Sequence, residues 1–463
     1  MAEQLTAGEA ARRLGVKPAT LYAYVSRGIL TRRKDPAGRT SRFDAGEIED
    51  LARRGRPRRQ ARAADIVIES ALTEIDGAQF RYRGLDVVDL ATRRSFEEVA
   101  EFLWTGAFPA HPEPRQVRSE TGPEPGQARP ESWQARPEAL AAGRAAQAAL
   151  PPGALPLERL QVIVPAIAAT DPLRLQLDPP AVQAAARGLI AGLVDCLPSP
   201  AAAPAATPPT AATPPTAATP ITTTATLPTS EAAVPFTSTD LAASPGPPAP
   251  IAERLWARLT DRRPTPAVLT ALSAALVLLA DHELAASTLA ARVAASVRAD
   301  PYAVVGTGLG AMGGALHGGA SLGVENLLTA AGTPAGVPAV IRDLLRRGER
   351  VPGFGHFVYR AGDPRAARLL ELIRTAAPRS RGLAVADAVR AEVSGRGLPG
   401  PNIDFAVAVL ARVAGMTVGA GEAVFAVART AGWAAHAMEE YARATPLRPR
   451  AVYVGPAPRD AGF

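Results

Sequence analysis

Apolar residues recur at three- and four-residue spacing through most of this chain, and runs of Val, Ile and Thr with period two are scarce. Such a pattern commits the body to α-helices. Ser95-Phe96-Glu97-Glu98 reads as a capping box, followed by Val99, Phe102 and Leu103 at helical spacing and by Gly106 past the end. The same spacing, on alanine-rich faces, predicts helices over 267–280, 283–297, 366–377 and 422–442. At 463 residues the chain has room for two to four domains. The longest apolar run, 268–280, breaks at Asp281-His282-Glu283 and is too short to span a bilayer, so no membrane partner is expected. A single cysteine, Cys196, excludes a disulfide framework and a Cys-based zinc site. With no signal-peptide pattern at the start, a reducing, cytoplasmic location is the expectation.

Compositional breaks divide the sequence. Residues 55–64 are basic and hold Gly and Pro, as a linker or phosphate-touching tail would. Residues 111–137 are polar and proline-rich, and read as a long loop. Between 198 and 250 there are 14 prolines in 53 residues and no Lys or Arg. That segment cannot bury enough apolar surface to offset its ordering entropy, so disorder is expected.

Charge is equally uneven. Residues 1–63 hold 15 basic and 7 acidic side chains, whereas the remaining 400 hold 36 and 37. The basic character therefore belongs to one N-terminal segment, which points to a polyanion, nucleic acid first. Within it, Thr6-Ala7-Gly8-Glu9 caps a short helix, Gly15-Val16 turns, and Pro18 opens a second helix with Leu21, Tyr22 and Val25 inward. A basic hairpin-like stretch, 32–43, follows, and Asp44-Ala45-Gly46-Glu47 caps a third helix. The segment 4–54 resembles the winged helix-turn-helix of the MerR and excisionase families. That resemblance implies double-stranded DNA as a partner, contacted by Lys17, Thr20, Tyr24, Arg27, Arg39 and Arg42. A helical hairpin for protein contact fits the same pattern.

Three of the five histidines occupy contexts that a packed core would not choose. His317 and His356 stand among glycines, which permit close approach by a ligand. His282 sits in a charged triplet at the edge of an apolar run. Asp363-Pro364-Arg365 reads as an N-cap, a proline at N1, and an arginine in the first turn, where a cation opposes the helix dipole unless an anion lies nearby. Arg429, Arg448 and Arg450 offer further forks for a polycarboxylate. Asp404, in Pro401-Asn402-Ile403-Asp404-Phe405, is a carboxylate among apolar neighbours, fit for a general base, or for a helix cap. No metal-ligand spacing is present.

These residues carry a resemblance to the citrate synthase family. Ile75-Asp76-Gly77, Arg81 to Asp86, Ser95 to Ala100, Asp281-His282-Glu283, Leu316-His317-Gly318-Gly319-Ala320, Gly353-Phe354-Gly355-His356, Asp363-Pro364-Arg365 and Pro401-Asn402-Ile403-Asp404 follow in that family's order. The resemblance covers roughly 66–110, 251–457 and, more weakly, 138–197. It implies a mainly α, two-domain all-α body that works as a homodimer and condenses acetyl-CoA with oxaloacetate. The large domain would comprise 65–317 and 416–463 and the small one 318–415, after a helix-turn-helix domain at 1–58 and a linker at 59–64. By the same resemblance, Asp404 abstracts the thioester methyl proton, His317 stabilises the enol, and His356 donates to the oxaloacetate carbonyl. His282, Arg365 and Arg429 hold the carboxylates, with Arg448 reaching in from a second subunit. Val351, Pro352, Gly353, Phe354, Gly355 and Arg360 face CoA. No permanently bound cofactor is implied; the acyl-CoA, acetyl- or propionyl-, is a co-substrate. The pattern departs from the family at Ser321, Ala285, Phe357, Ala406 and Val407. A 2-methylcitrate synthase, or a regulator using the body as a metabolite sensor, is the competing expectation.

Overall fold

A computed structural model describes residues 4–14, 21, 25, 30–31, 33–34, 41–48, 68–77, 79–109, 133–200, 248–315, 317–360, 362–443, 445–451 and 454. Lys17, Thr20, Tyr24, Arg27 and Arg39, the linker at 59–64, and nearly all of the 111–137 and 198–250 segments lie outside the described residues. The chain divides into one unit of 1–69 with 449–463, and another of 70–448.

In the smaller unit, Thr6 and Glu9 form the capping box read from the sequence: Glu9 Oε2 accepts from Thr6 N at 2.8 Å, and Glu9 N donates to Thr6 Oγ1 at 3.4 Å. They start the helix Ala7–Leu14, whose Ala10 and Ala11 are buried. Strand Ser41–Asp44 lies between Gln4–Thr6 and Arg33–Lys34, antiparallel to both, so the described ends of the basic stretch pair with each other. Alternation puts Phe43 inside with Leu5, Leu21, Leu30 and Ile48, and leaves Arg42 half-buried on the other face.

The larger unit is almost entirely helical. Proline does much of the punctuation: helices Pro137–Ala148, Pro156–Ala168, Pro179–Cys196, Pro266–Leu279, Pro301–Met312 and Pro364–Ala376 all begin with it, where its missing N–H costs nothing. Asp178, Thr265, Asp300 and Asp363 cap four of them through side-chain oxygens. Ser95 and Glu98 cap Phe96–Thr105 reciprocally, and Gly106 ends it at φ 80°. The 23-residue helix Ala420–Ala442 is buried along nearly its whole length, packed by Phe96–Thr105, Pro179–Cys196, Pro266–Leu279, Ala286–Ser296 and Pro301–Met312. A helix buried on every side is a central one, and its Glu422, Arg429, His436 and Glu440 are carried inside with it. No helix among the described residues is long and apolar enough to cross a membrane.

Two features differ from the sequence reading. A small antiparallel sheet, Thr73–Asp76, Gln79–Tyr82 and Leu85–Asp86, precedes the helices. And the helix expected over 283–297 begins at Ala286 instead. Glu283 takes φ 51°, and the Asp281 N–H donates to the Tyr82 hydroxyl at 2.9 Å rather than to a helical carbonyl. The break holds His282 outside any helix.

Candidate active site

Three loops and two helix starts build the site. Helix Ile403–Ala414 opens on Asn402, whose Oδ1 accepts from the N–H groups of Asp404 (3.1 Å) and Phe405 (3.3 Å). Asn402 Nδ2 also donates to Gly355 O at 3.0 Å, and Asn402 N to Gly353 O at 2.9 Å. One cap thus ties the loop carrying His356 to the turn carrying Asp404. Gly353 sits at φ 78°, where a Cβ would fall 2.5 Å from Val324 and 2.9 Å from Phe405, so only glycine lets the loop lie this close.

Around that joint the expected residues converge. The His282 and His356 rings are 5.4 Å apart, and His282 Nε2 meets the Tyr359 hydroxyl at 3.0 Å. His282 is pushed well below the usual imidazole range by burial, and further by Arg365, Arg429, His356 and His317, so all five act on one space. Burial, then Arg429, pushes His317 down to about 4; burial, then Arg365, lowers His356. Asp404 is raised to about 6, chiefly by burial, against the pull of Arg365 and Arg429. The site therefore combines a desolvated carboxyl with neutral imidazoles around the same two arginines. His356 accepts at Nδ1 from Val358 N (3.1 Å) and, more loosely, Tyr359 N (3.4 Å), so its proton is on Nε2. His317 Nε2 meets Ser287 Oγ at 2.7 Å.

The two arginines differ. Arg365 gives Nε and Nη2 to Asp363 (3.0 and 2.9 Å). The anion that offsets its conflict with the helix dipole is Asp363, two residues away. The same carboxylate accepts from Ile403 N at 3.0 Å, joining the starts of two helices. Arg429 lies 4.7 Å over the Phe425 ring, and its Nε donates to Leu279 O at 2.8 Å. Its two Nη atoms are buried without a hydrogen-bond partner among the described residues.

Beside these groups a cleft of about 270 Å³ is lined by Gly355, His356, Tyr359, Arg360, Asp363 and Pro401. Of the expected CoA-facing stretch, Val351 and Gly353 are buried, Pro352, Phe354 and Gly355 half-buried, and Arg360 exposed. Arg448 and Arg450 are exposed in irregular chain after the long helix. Tyr359 and Ser287 were not singled out in the sequence. Tyr359, three residues after His356, bridges His282 and the Arg365 guanidinium, which stands 5.1 Å from its ring; no local pattern marks it.

The sequence matches the citrate synthase family (C-terminal domain) over residues 64–450 and a helix-turn-helix domain over 5–56. Citrate synthase 2 of Bacillus subtilis is 38% identical over 213 residues, covering 44% of this chain and 56% of that protein. A 2-methylcitrate synthase of Mycobacterium tuberculosis is 35% identical over 195 residues, 42% of this chain and 50% of that protein. The chain thus spans about half the length of the curated relatives it matches. Citrate synthase from Thermoplasma acidophilum, solved as a ternary complex with carboxymethyl coenzyme A and oxaloacetate, superposes with a TM-score of 0.63 at 24% identity, over 86% of this chain and 96% of that one. The Thermotoga maritima citrate synthase gives 0.60 at 22% identity, over 87% and 97%. These two likenesses speak for the fold alone. With the family match running from 64 to 450, through every loop that builds the site, the chain belongs to the citrate synthase family.

Proposed function

We propose that the chain condenses acetyl-CoA with oxaloacetate to give citrate and free CoA. The observation that carries this reading is Arg429, a sealed guanidinium whose Nη fork is unpartnered among the described residues, beside a raised carboxyl and neutral imidazoles. A buried charge with open donors is costly unless an anion arrives to meet it, and a substrate carboxylate does so in bidentate fashion.

Asp404 takes a proton from the thioester methyl group. A carbon acid this weak needs a donor at its oxygen in the same step. With the Ser287 hydroxyl as hydrogen-bond donor to His317 Nε2, the neutral imidazole carries its proton on Nδ1, for the enol oxygen. The enol carbon attacks the oxaloacetate carbonyl, whose oxygen takes the proton of His356 Nε2. Water then cleaves the thioester of the product: its proton returns to His356 Nε2, its oxygen joins the acyl carbon, and the proton held by Asp404 leaves on the CoA thiol. Arg429, His282 and the remaining Nη1 of Arg365 hold the carboxylates, and the backbone of Val351 to Gly355, with Arg360, faces CoA. The body divides at the cleft into a large domain (65–317 and 416–463) and a small one (318–415). A homodimer, in which the partner subunit's Arg448 completes the carboxylate set, is supported by exposed Leu289 and Val293 on one face of the helix Ala286–Ser296 and by exposed Val297 just past its end.

Thiol release from acetyl-CoA with oxaloacetate is the direct test. With propionyl-CoA it tests the second reading, 2-methylcitrate synthesis, which the relatives' two names favour. One methylene changes specificity by only about 1–3 kcal/mol. If neither donor releases thiol while oxaloacetate still binds, the body is a sensor rather than an enzyme. Because the base must be ionised, kcat/KM should fall with a slope of one as pH drops through about 6, the value to which burial raises Asp404. His317, at about 4, stays neutral throughout that window. A rate independent of pH between about 5 and 8 would remove Asp404 from the role.

The helix-turn-helix domain (1–58, before a linker at 59–64) we assign to double-stranded DNA, on the strength of its concentrated positive charge. Anisotropy titrations of a labelled duplex should show log K falling linearly with log salt. A flat response would point to a protein partner instead.

A further inference from the structure

We propose that His436 is a positioning residue for the keto-acid: together with Thr73 it holds the Asp281 carboxylate off Arg429, and so keeps the arginine's Nη fork open for substrate. The inference rests on the condensation reading above.

Arg429 and His436 lie two turns apart on one face of the helix Ala420–Ala442, with Gly432 between them. The segment 279–282 is laid against that face. Leu279 O accepts from Arg429 Nε at 2.8 Å, and Ala280 O from Gly432 N at 3.0 Å. A Cβ on residue 432 would stand 2.4 Å from Ala280 O and 2.5 Å from Asp281 Oδ1, so the approach requires glycine.

Asp281 and Arg429 are thus opposite charges in a dry interior, each wholly buried, and Asp281 is the foremost group supporting the arginine's charge. Such a pair gains most by closing into a bidentate salt bridge. It does not close here. Both Arg429 Nη atoms, and Asp281 Oδ1, have no hydrogen-bond partner among the described residues. The other carboxylate oxygen, Oδ2, is committed elsewhere: it accepts from Thr73 Oγ1 and from His436 Nε2, the latter at 3.2 Å.

The rest of the network fixes the direction of that last bond. Arg292 Nη1 stands 2.6 Å from His436 Nδ1, and a guanidinium only donates. Nδ1 is therefore the acceptor, and the imidazole proton lies on Nε2, aimed at Asp281. Arg292 is itself held by Glu440 and Glu439, each at 2.6 Å. Glu439 also accepts from Ala71 N at 2.8 Å, two residues before Thr73. One chain of ion pairs and hydrogen bonds thereby anchors both donors that restrain Asp281, and neither donor has a step in the condensation.

His436→Leu removes the restraint and frees an internal anion to compete for Arg429. An internal competitor raises KM and leaves kcat unchanged. The KM for oxaloacetate should rise about tenfold or more, with the acetyl-CoA KM within about twofold of wild type. His436→Gln, which restores an N–H near the position of Nε2, should keep the low KM. Adding Asp281→Asn to His436→Leu removes the competing charge and should bring the oxaloacetate KM back down. A merely structural loss would be deepened by that second buried substitution. If His436→Leu does not fold, Thr73→Val removes the other donor and should shift the same KM upward. The proposal is overturned if the folded variant keeps the wild-type KM, if both KM values rise together, or if the double variant is worse than the single. Failure of the wild type to release thiol would sink the condensation reading instead, and calorimetric oxaloacetate binding by the same variants would still decide the role of His436.

Discussion

Asp404→Asn should lose about three orders of magnitude in thiol release, within the range that general bases contribute, and should at the same time make the protein more stable. Both follow from one environment. Burial lifts the Asp404 carboxyl to about 6, from 3.8 in the unfolded chain, so the ionised form that does the chemistry is the form the fold disfavours. For a carboxyl whose folded value is raised, the penalty is absent below about pH 4, grows as pH climbs between the two values, and is complete above about 6. Asparagine fills the same space without the charge. Since Asp404 is half-buried rather than sealed, the gain at pH 8 should be about 1–2 kcal/mol rather than the full shift, or about 2 °C or more in Tm. It should vanish below about pH 4. Melting curves at the two pH values, alongside the thiol assay, check both halves. A variant equally stable at every pH, or one retaining more than about a tenth of wild-type activity, would contradict the assignment.

The elements that were legible in the sequence are those whose signals are local. Ser95 with Glu98, Thr6 with Glu9, and proline at the first turn are read within four residues and recur as drawn. Short pairings were not legible: Thr73–Asp76 with Gln79–Tyr82 spans four residues a side, too few for a period-two pattern to stand out. The break at Asp281-His282-Glu283 was legible, but the helix start at Ala286 was not, because nothing in the local pattern marks the left-handed backbone of Glu283, φ 51°. The site shows the same division. His282, His317, His356, Arg365, Asp404 and Arg429 stand out by residue type in unusual company. Their companions do not: Tyr359 is tied to His282 across 77 residues, and His436 to Asp281 across 155. Asp363 was in plain view as a helix cap, yet its second task, neutralising Arg365, depends on a side-chain rotamer that no spacing reveals.

Arg429→Met should raise the oxaloacetate KM by a hundredfold or more and cut kcat/KM in proportion. Truncating one partner of a buried, hydrogen-bonded charge pair costs about 2–5 kcal/mol, and here the lost partner is a fork that two substrate oxygens would share. Methionine keeps the length and the contact with Phe425, so packing alone does not account for the loss. Arg429→Lys should rescue little. An ammonium is a point charge without a fork, and it cannot donate to Leu279 O as Nε does while also facing the ligand. The effect should exceed that of His436→Leu, because a competing internal anion can be displaced by more substrate whereas a missing guanidinium cannot be replaced by any amount. Calorimetric titration of oxaloacetate separates the two: a weakened but saturable isotherm for His436→Leu, and none in the accessible range for Arg429→Met. Were Arg429→Met to bind the keto-acid as wild type does, the open fork would not be the carboxylate site. The anion would then have to be met at Arg365, whose Nε and Nη2 already serve Asp363.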